Sequence, residues 1–207
     1  MLGKIIALVG PSGVGKNFVK QAIKNQFPKL SELTVFTTRV RRSSDGLDRK
    51  TDISVDNFLK MQKEGKIIVA HQPFGPDGDW YGFSKKQIDE LLEKEKQILT
   101  EIHPDNIPLF KKLYGSRVFA IALTSETEYL EYNLKSRNSE NDIDRETGLN
   151  KAIDEIKMIE KLRRKKLIDK IVKVNWDNRD ELAELITNEV EQKLRLPAKK
   201  EYKIKLK

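Results

Sequence analysis

The sequence predicts an α/β fold in which a doubly wound, parallel, five-stranded sheet is covered by helices on both faces. Three observations predict it: short apolar runs recur along the chain, amphipathic segments separate them, and a glycine-rich loop joins the first run to the first helix. Strands buried on both faces read as continuous apolar runs, and parallel strands need helical crossovers between them. Ligands of such folds bind at the carboxyl ends of the strands.

The elements follow this alternation from the amino terminus onward. The segment NFVKQAIKNQF carries apolar residues at helical spacing, and Pro28 ends that helix. The last helix is predicted over Asp180–Leu194. The predicted core strands are Lys4–Val9, Ile98–Ile102, Arg117–Leu123 and Lys170–Asn175.

Two serines are predicted to begin helices. Ser84 stands three residues before Gln87, and Ser125 stands three residues before Glu128. This spacing is typical of a capping box, in which the serine and the later side chain each satisfy an otherwise unpaired backbone amide.

Composition excludes several classes of protein and site. The 207 residues contain no cysteine and only two histidines, His71 and His103, which excludes disulfides, thiolate catalysis and histidine-based metal clusters. No apolar run approaches the roughly 20 residues that cross a bilayer, and the amino terminus does not resemble a signal peptide. We therefore expect a cytoplasmic protein that does not enter membranes.

The net charge of +8 favours a polyanionic partner, either a nucleic acid or a phosphate-rich small molecule. Part of the excess lies in a basic run at 163–166 and in the basic tail 196–207. We interpret these as a solvated helix face and a chain end, because no stripe of aromatic and basic residues accompanies them. Binding of nucleic acid is therefore not expected.

The loop GPSGVGKN, Gly10–Asn17, matches the phosphate-binding motif G-x-x-x-x-G-K-[ST] except at its last position. The glycines let backbone N–H groups turn inward around phosphates, and Lys16 reaches the terminal phosphates as a point charge. The motif predicts a P-loop NTP hydrolase fold that binds ATP with Mg²⁺. Asn17 replaces the usual hydroxyl ligand of Mg²⁺, so weaker metal binding is expected. The ATP-binding residues predicted from the loop are Gly10, Pro11, Ser12, Gly13, Val14, Gly15, Lys16 and Asn17.

Further motifs follow the P-loop in a fixed order. They are TTRVRR at Thr37–Arg42, GLD at Gly46–Asp48, DWYGFS at Asp79–Ser84 and ILTEI at Ile98–Ile102. In order and spacing the chain resembles the guanylate kinases over about residues 3–190. The resemblance implies an acceptor-binding lobe over 39–84 and a lid over 128–148, both inserted into a core of 1–38, 85–127 and 149–195, with the tail 196–207 outside the domain.

Arg39 and Arg42 are predicted to hold the phosphate of the acceptor. Two forked guanidinium groups three residues apart on a loop can bind a phosphate dianion bidentately and neutralise repulsion between two polyanions. The resemblance implies that Tyr81 adds its hydroxyl to this phosphate, and that Glu101 lies near the metal and the acceptor.

The resemblance also implies arginines in the lid. Arg137 matches the lid arginine that clamps the ATP phosphates, and Arg145 lies one turn before the expected place of a second one. Such arginines stabilise the transferring phosphoryl group by about 10³-fold or more. Asn175 falls near the contact on the adenine side.

The residues that select guanine in the family are altered here. The positions of a hydroxyl and a glutamate align with Val35 and Val69, and a tyrosine is replaced near Arg49 or Lys50. His103 stands where a second acid is common. Valine cannot accept the N–H donors of guanine, and an unpaired buried donor costs about 1–3 kcal/mol. The phosphate-handling groups are thus retained while the base-reading groups differ.

The sequence therefore predicts an ATP-dependent phosphotransferase acting on GMP, dGMP or a related nucleoside monophosphate. One alternative is a sugar-phosphate kinase resembling the ribose 1,5-bisphosphate phosphokinases. The other is a catalytically silent binding module of this fold, although such modules lack the P-loop lysine. The expected partners are ATP and a small phosphorylated acceptor, and a homodimer is left open.

Overall fold

A five-stranded parallel sheet forms the centre of the protein, as the sequence predicts. The structure is a computed structural model that describes residues 3–41, 49–73, 75–136 and 142–195. The strands are β1 (Ile5–Val9), β2 (Ser31–Glu32), β3 (Val35–Thr37), β4 (Arg49–Lys50), β5 (Ile67–His71), β6 (Tyr81–Ser84), β7 (Ile98–Glu101), β8 (Val118–Thr124) and β9 (Lys170–Lys173). The helices are α1 (Lys16–Gln26), α2 (Val55–Lys63), α3 (Lys85–Glu93), α4 (Ile107–Tyr114), α5 (Thr127–Lys135), α6 (Asp142–Arg164) and α7 (Arg179–Arg195).

The central sheet has the strand order β2-β7-β1-β8-β9. Each neighbouring pair is parallel, and β1 lies between β7 and β8. The register pairs Leu8 with Glu101, two residues before the P-loop begins at Gly10. The carboxyl ends of β1 and β7 therefore bring the P-loop and Glu101 to the same edge of the sheet.

Helices pack on both faces of this sheet, which makes it doubly wound. Along β1, alternate residues enter two different apolar clusters, and all five side chains are fully buried. One cluster includes residues of α3 and α4, and the other includes residues of α1 and α7. Burying each large aliphatic side chain stabilises the fold by about 1.5–3 kcal/mol, so the core around β1 holds the P-loop firmly.

A second sheet lies beside the core, with the strand order β4-β3-β6-β5. β3 pairs in parallel with β4, whereas β6 runs antiparallel to both β3 and β5. Its apolar cluster is small, consisting of Phe36, Phe58 and Ile67 with partly buried neighbours such as Trp80. The sheet begins at Val35, four residues before the predicted lobe boundary at 39.

The strand β5 contains an irregularity between Ile68 and His71 in its pairing with β6. Within it, Val69 has a positive φ of 59°. A bulge of this kind changes which side chains of a strand face each side of the sheet. The residues after Ile68 therefore cannot be placed by simple alternation.

One of the two predicted helix caps is confirmed. The Ser84 hydroxyl accepts the backbone N–H of Gln87, as a cap of α3 should. The Gln87 side chain instead bonds the backbone N–H and the hydroxyl of Thr34, so the box is not reciprocal.

The cap predicted at Ser125 is wrong. α5 begins at Thr127 after Glu126, whose side chain makes no cap bond. The hydroxyl of buried Ser125 donates to the carbonyl of Val174 at 2.6 Å. A buried carbonyl must be paired, and this requirement decides the role of the serine.

Among the described helices, none combines the length and the apolar character required to traverse a bilayer.

Candidate active site

A cleft of about 620 Å³ opens between the carboxyl edge of the central sheet, the second sheet and α6. The P-loop, both sheets and α6 all contribute side chains to its lining. The lining residues that carry the chemistry are Gly10, Ser12, Lys16, Lys20, Glu32, Arg49, His71, Tyr81, Glu101, His103, Lys151 and Glu155. The predicted nucleotide loop and the predicted acceptor-binding segment thus share one cavity.

The P-loop has the backbone that its glycines predict. Gly13 and Gly15 have φ values of 85° and 100°, in a region that disfavours side chains. At Gly10 an added Cβ would lie only 2.7 Å from the carbonyl oxygen of Leu123, so β8 approaches the loop too closely for any side chain there. The loop therefore needs two glycines for their backbone conformation and a third because no side chain fits there.

The ammonium group of Lys16 lies against this loop. Its Nζ donates to the carbonyl oxygens of Gly10 at 2.7 Å and Pro11 at 2.9 Å. On the other side of the loop, Nδ2 of Asn133 donates to the carbonyl of Gly13 at 2.9 Å and ties α5 to it. Lys16 begins α1, so the positive end of that helix dipole adds to the charge of the ammonium group.

Two predicted nucleotide contacts lie away from the cleft lining. Asn17 is exposed on the first turn of α1. The Oδ1 atom of Asn175 accepts the backbone N–H groups of Asp177 and Asn178, each at 3.0 Å, and so orders the loop after β9. Neither residue is brought together with Lys16 in this cavity.

Glu101 is half-buried at the carboxyl end of β7 and lines the same cavity as Lys16. Within the described ranges, no three His, Cys, Asp or Glu side chains group closely enough to hold a metal ion by themselves. A metal here would therefore need oxygen ligands from a bound phosphate as well as from the protein.

The predicted phosphate-binding arginines are placed unequally. Arg39 is only 8% exposed, and its guanidinium donates to the carbonyl of Val40 at 3.1 Å. It is not among the cleft-lining residues, and Arg42 lies outside the described residues. Arg49 and Tyr81 do line the cleft and supply a guanidinium and a phenol on this side.

The predicted lid arginines are not described. Arg137 lies outside the described residues, and so does the side chain of Arg145. The predicted tail 196–207 is outside them too. The described part of α6 contributes Thr147, Gly148, Lys151 and Glu155 to the cleft.

Both histidines of the chain meet on the cleft wall. Their ring centroids are 5.0 Å apart, and Nδ1 of His71 lies 2.8 Å from Nδ2 of Asn106. His103 accepts the backbone N–H of Asp105 at Nδ1, while its Nε2 lies 3.3 Å from Oε1 of Glu155. The pair therefore links β5 of the second sheet to α6.

Burial and neighbouring charges shift the pKa values of His71 and Lys151 on this wall. Burial, followed by the neighbouring His103, lowers the pKa of His71 from 6.5 to about 4, so this imidazole is neutral at neutral pH. Burial also lowers the pKa of the Lys151 ammonium group, and nearby Glu155 opposes that shift.

The two valines at the altered positions have different surroundings. Val35 lines the cleft, whereas Val69 is only 4% exposed and packs in the apolar cluster that includes α3 and α4. His71, two residues beyond Val69, lines the cleft instead. Sequence reasoning missed His71 because it had no signal for the bulge in β5. It also missed Lys151, one of three lysines in a helix rich in charged residues.

Comparisons with known proteins agree with this geometry. The guanylate kinase family model matches residues 2–175. The guanylate kinase of Clostridioides difficile is 28% identical over 159 residues, which are 76% of each chain. That of Mycoplasma mobile is 29% identical over 170 residues, which are 78% of this chain and 83% of the relative. A solved guanylate kinase from Anaplasma phagocytophilum shares the fold at 20% identity, with a TM-score of 0.68 over 95% of this chain and 89% of that one. The P-loop, the parallel sheet and the family match over most of the sequence together mean that the chain belongs to the guanylate kinase family of ATP-dependent phosphotransferases.

Proposed function

We propose that the protein transfers the γ-phosphoryl group of ATP to the phosphate of a nucleoside monophosphate, GMP, dGMP or a related one. One observation carries the proposal. A single cavity of about 620 Å³ is lined by Lys16 of the P-loop on one side and by Arg49 and Tyr81 of the second sheet on the other. A cavity with cations at both ends is suited to bring two phosphorylated molecules together.

Catalysis consists of positioning and charge neutralisation, without a covalent intermediate. The amides of residues 10–17 and the positive end of α1 hold the ATP phosphates, with Lys16 on the terminal ones. Asn175 contacts the adenine side. Arg137 and Arg145 close over the transferring phosphoryl group and stabilise its charge in the transition state.

The acceptor phosphate is held by Arg39, Arg42 and Tyr81. Support comes from strand register, because β3 and β6 pair Thr37 with Tyr81, and Arg39 follows Thr37 by two residues. Arg49, which lines the cleft, adds a fixed positive charge to the same end. Guanidinium groups suit this task because their planar forks match phosphate oxygens.

The cleft fits Mg²⁺ at Glu101, and we assign Asn17, exposed on the first turn of α1, as the second protein ligand. Glu101 presents a carboxylate in the cleft that Lys16 also lines. Mg²⁺ is usually held by one or two carboxylates together with substrate phosphates and water, which agrees with the absence of a dedicated cluster in the described residues. When bound, the ion neutralises charge on the phosphates. We further propose a cytoplasmic location, as expected from the sequence.

A sugar-phosphate kinase, resembling the ribose 1,5-bisphosphate phosphokinases, is the second candidate. It is favoured by Val35 on the cleft and Val69 in the core, neither of which can accept the N–H donors of guanine. The silent binding module is disfavoured because Lys16 is present and bonded to its loop.

A coupled assay of ADP release tests these alternatives. It compares GMP, dGMP, other nucleoside monophosphates and ribose 1,5-bisphosphate, each with ATP and Mg²⁺. Turnover of a nucleoside monophosphate supports the proposal, and turnover of the bisphosphate alone supports the second candidate. ATP binding without turnover of any acceptor would instead indicate the silent module.

A further inference from the structure

An exposed group of aromatic rings lies on the helix next to the P-loop. It consists of Trp176, Tyr132 and Tyr129, and we call it the aromatic ledge. The Trp176 ring meets both tyrosines edge to face, with ring centroids 4.8 Å from Tyr129 and 5.8 Å from Tyr132. Trp176 is 54% exposed and Tyr132 is 62% exposed, whereas Tyr129 is buried. A surface of this kind offers a flat ring a place to stack.

Helix α5 connects the aromatic ledge to the P-loop. Tyr129 and Asn133 are four residues apart on this helix, so their side chains are neighbours on one face. Nδ2 of Asn133 donates to the carbonyl of Gly13 in the P-loop at 2.9 Å. Among the described residues that line the cleft, none belongs to the ledge, whereas Gly10 and Ser12 of the P-loop do line it. The P-loop therefore borders the cleft and the helix that carries the ledge through different residues.

The loop after β9 holds Trp176 in a defined position. Oδ1 of Asn175 accepts the backbone N–H groups of Asp177 and Asn178, and Oδ1 of Asn178 accepts the backbone N–H of Asn175 at 2.9 Å. Asn178 also donates through Nδ2 to the carbonyl of Lys173 at 3.3 Å. Both asparagine side chains thus bond the backbone of their own loop, and the indole ring is exposed between them.

This inference rests on the proposed function and concerns its phosphoryl donor. We propose that Trp176 binds the base of the donor nucleotide by stacking and thereby determines which donors are used. A nucleotide whose phosphates fill the P-loop extends its base away from the cleft, because the acceptor occupies the cleft, and the aromatic ledge lies on that other side. Every nucleobase has a π-face, so a stacking site tolerates different bases better than a site that reads one edge.

Asn175 keeps its proposed contact with the base without selecting adenine. Its Oδ1 atom is used within the loop, so Nδ2 is the group that it can offer to a base. Adenine and guanine both carry an acceptor at N7, and an amide donor does not separate them there. The donor site is therefore expected to accept several purine nucleoside triphosphates.

Binding of ADP and of inorganic pyrophosphate, each with Mg²⁺, separates the base from the phosphates. Trp176→Leu keeps an apolar side chain and removes the aromatic ring. It should weaken ADP binding about 10-fold, within the range of one base stacked on an aromatic side chain, and leave pyrophosphate binding unchanged. Trp176→Phe is the matched variant, because it retains a ring and should restore most of the ADP affinity. Calorimetry measures these dissociation constants.

Intrinsic fluorescence reports the contact directly, because the chain has two tryptophans, Trp80 and Trp176. Trp80 stacks on Phe58 in the second sheet, with ring centroids 5.8 Å apart. In a Trp80→Phe variant, saturation with ADP should quench the emission of Trp176, whereas pyrophosphate should not. In Trp176→Phe, which keeps Trp80, the change on adding ADP should be far smaller.

Initial rates with different donors and one acceptor test the tolerance for bases. ATP and ITP should give kcat/KM values within about 3-fold of each other, and CTP a value about 10-fold lower, because a pyrimidine has a smaller stacking surface. A site that reads the amino group of adenine would instead reject ITP by about 10⁴-fold, and that result would overturn the inference.

Two binding results would also overturn the inference. Equal losses of ADP and pyrophosphate affinity in Trp176→Leu would indicate a structural role for the indole ring. Unchanged ADP affinity in that variant would show that the base does not stack there. In both cases, turnover of a nucleoside monophosphate with ATP would leave the proposed kinase function standing. A parent protein that binds neither ADP nor pyrophosphate would contradict the proposed function itself, and the inference with it.

Discussion

The central sheet and the second sheet of this protein differ in how completely their side chains are buried. Every side chain of β1 is fully buried, and helices cover both of its faces. The second sheet has strands of only two to five residues, a small apolar cluster and a bulge. The phosphate loop is therefore attached to the tightly packed sheet, whereas the residues proposed to bind the acceptor lie on the less tightly packed one.

The largest expected effect comes from removing the P-loop lysine, which lies beside the central sheet. Lys16→Ala should lower kcat by about 10³-fold or more, because it removes a cation from the transferring phosphoryl group. Stability should change little, since the Lys16 ammonium group donates to carbonyls of its own loop. ADP release and a thermal melt measure the two effects, and Lys135→Ala, on an exposed ion pair of α5, is the control.

Surviving activity in Lys16→Ala would refute the assigned role of the P-loop.

The second prediction concerns pH and the second sheet. Because the pKa of His71 is lowered from 6.5 to about 4, the unfolded chain takes up this proton more readily than the folded one. His71 therefore makes the free energy of unfolding fall as pH drops from about 6.5 to 4, by up to about 3 kcal/mol at 1.4 kcal/mol per pKa unit. His71→Gln should remove that part of the pH dependence.

Urea unfolding at pH 7, 5.5 and 4.5 measures the effect as a difference between the variant and the parent. Carboxylates that titrate in this range cancel in that difference. Parallel pH profiles for the two proteins would show that His71 is not buried as neutral imidazole.

The third prediction tests how tightly the second sheet is packed. At Gly82 an added Cβ would lie 2.4 Å from Cγ2 of Ile67 and 3.2 Å from Cζ of Phe58. Gly82→Ala should therefore lower the free energy of unfolding by about 1–3 kcal/mol. Gly148→Ala in α6 meets nothing within 4 Å and should instead stabilise by about 0.5–1 kcal/mol.

Both glycine variants are compared by denaturant unfolding followed by fluorescence. If Gly82→Ala were as stable as the parent, the second sheet would be looser than its contacts indicate.

The smallest effect concerns the junction between the two sheets. Ser84→Ala removes the cap of α3 and should cost about 1 kcal/mol. Ser136→Ala, which loses an exposed bond to the Asn133 carbonyl, should stay within about 0.5 kcal/mol of the parent. Thermal melts of both variants measure these effects. A melting temperature of Ser84→Ala equal to that of Ser136→Ala would argue against a stabilising cap.

The core could be predicted from the sequence because its signals are local. An apolar run, a glycine loop and an amphipathic helix follow one another at Lys4–Phe27, and each segment limits the structure that the following one can adopt. The strands after residue 98 are likewise apolar runs, and the sheet order agrees with ligand binding at their carboxyl ends. Ser125 shows the limit, since its hydroxyl bonds Val174, 49 positions away in the chain.

The acceptor side could be predicted only in part. The motif around Tyr81 and the change near Arg49 drew attention to two residues that line the cleft, but the contact of Tyr81 with the acceptor phosphate stays a prediction. Nothing local marks His71 or Lys151, because their meeting depends on a bulge and on the packing of α6. The roles assigned to Arg39, Asn17 and Asn175 stay predictions.

The backbone at Val69 has an energetic consequence for the acceptor side. A β-branched residue at a φ of 59° is sterically unfavourable by about 1–3 kcal/mol, and burying its side chain returns about 1.5–3 kcal/mol. The two nearly cancel, so the pairing of β5 with β6 on both sides of the bulge, at Ile68 and at His71, maintains the alignment of the strand. A slip by one residue there would bring Ala70 to the position of His71, and the cleft would lose an imidazole without any change of sequence.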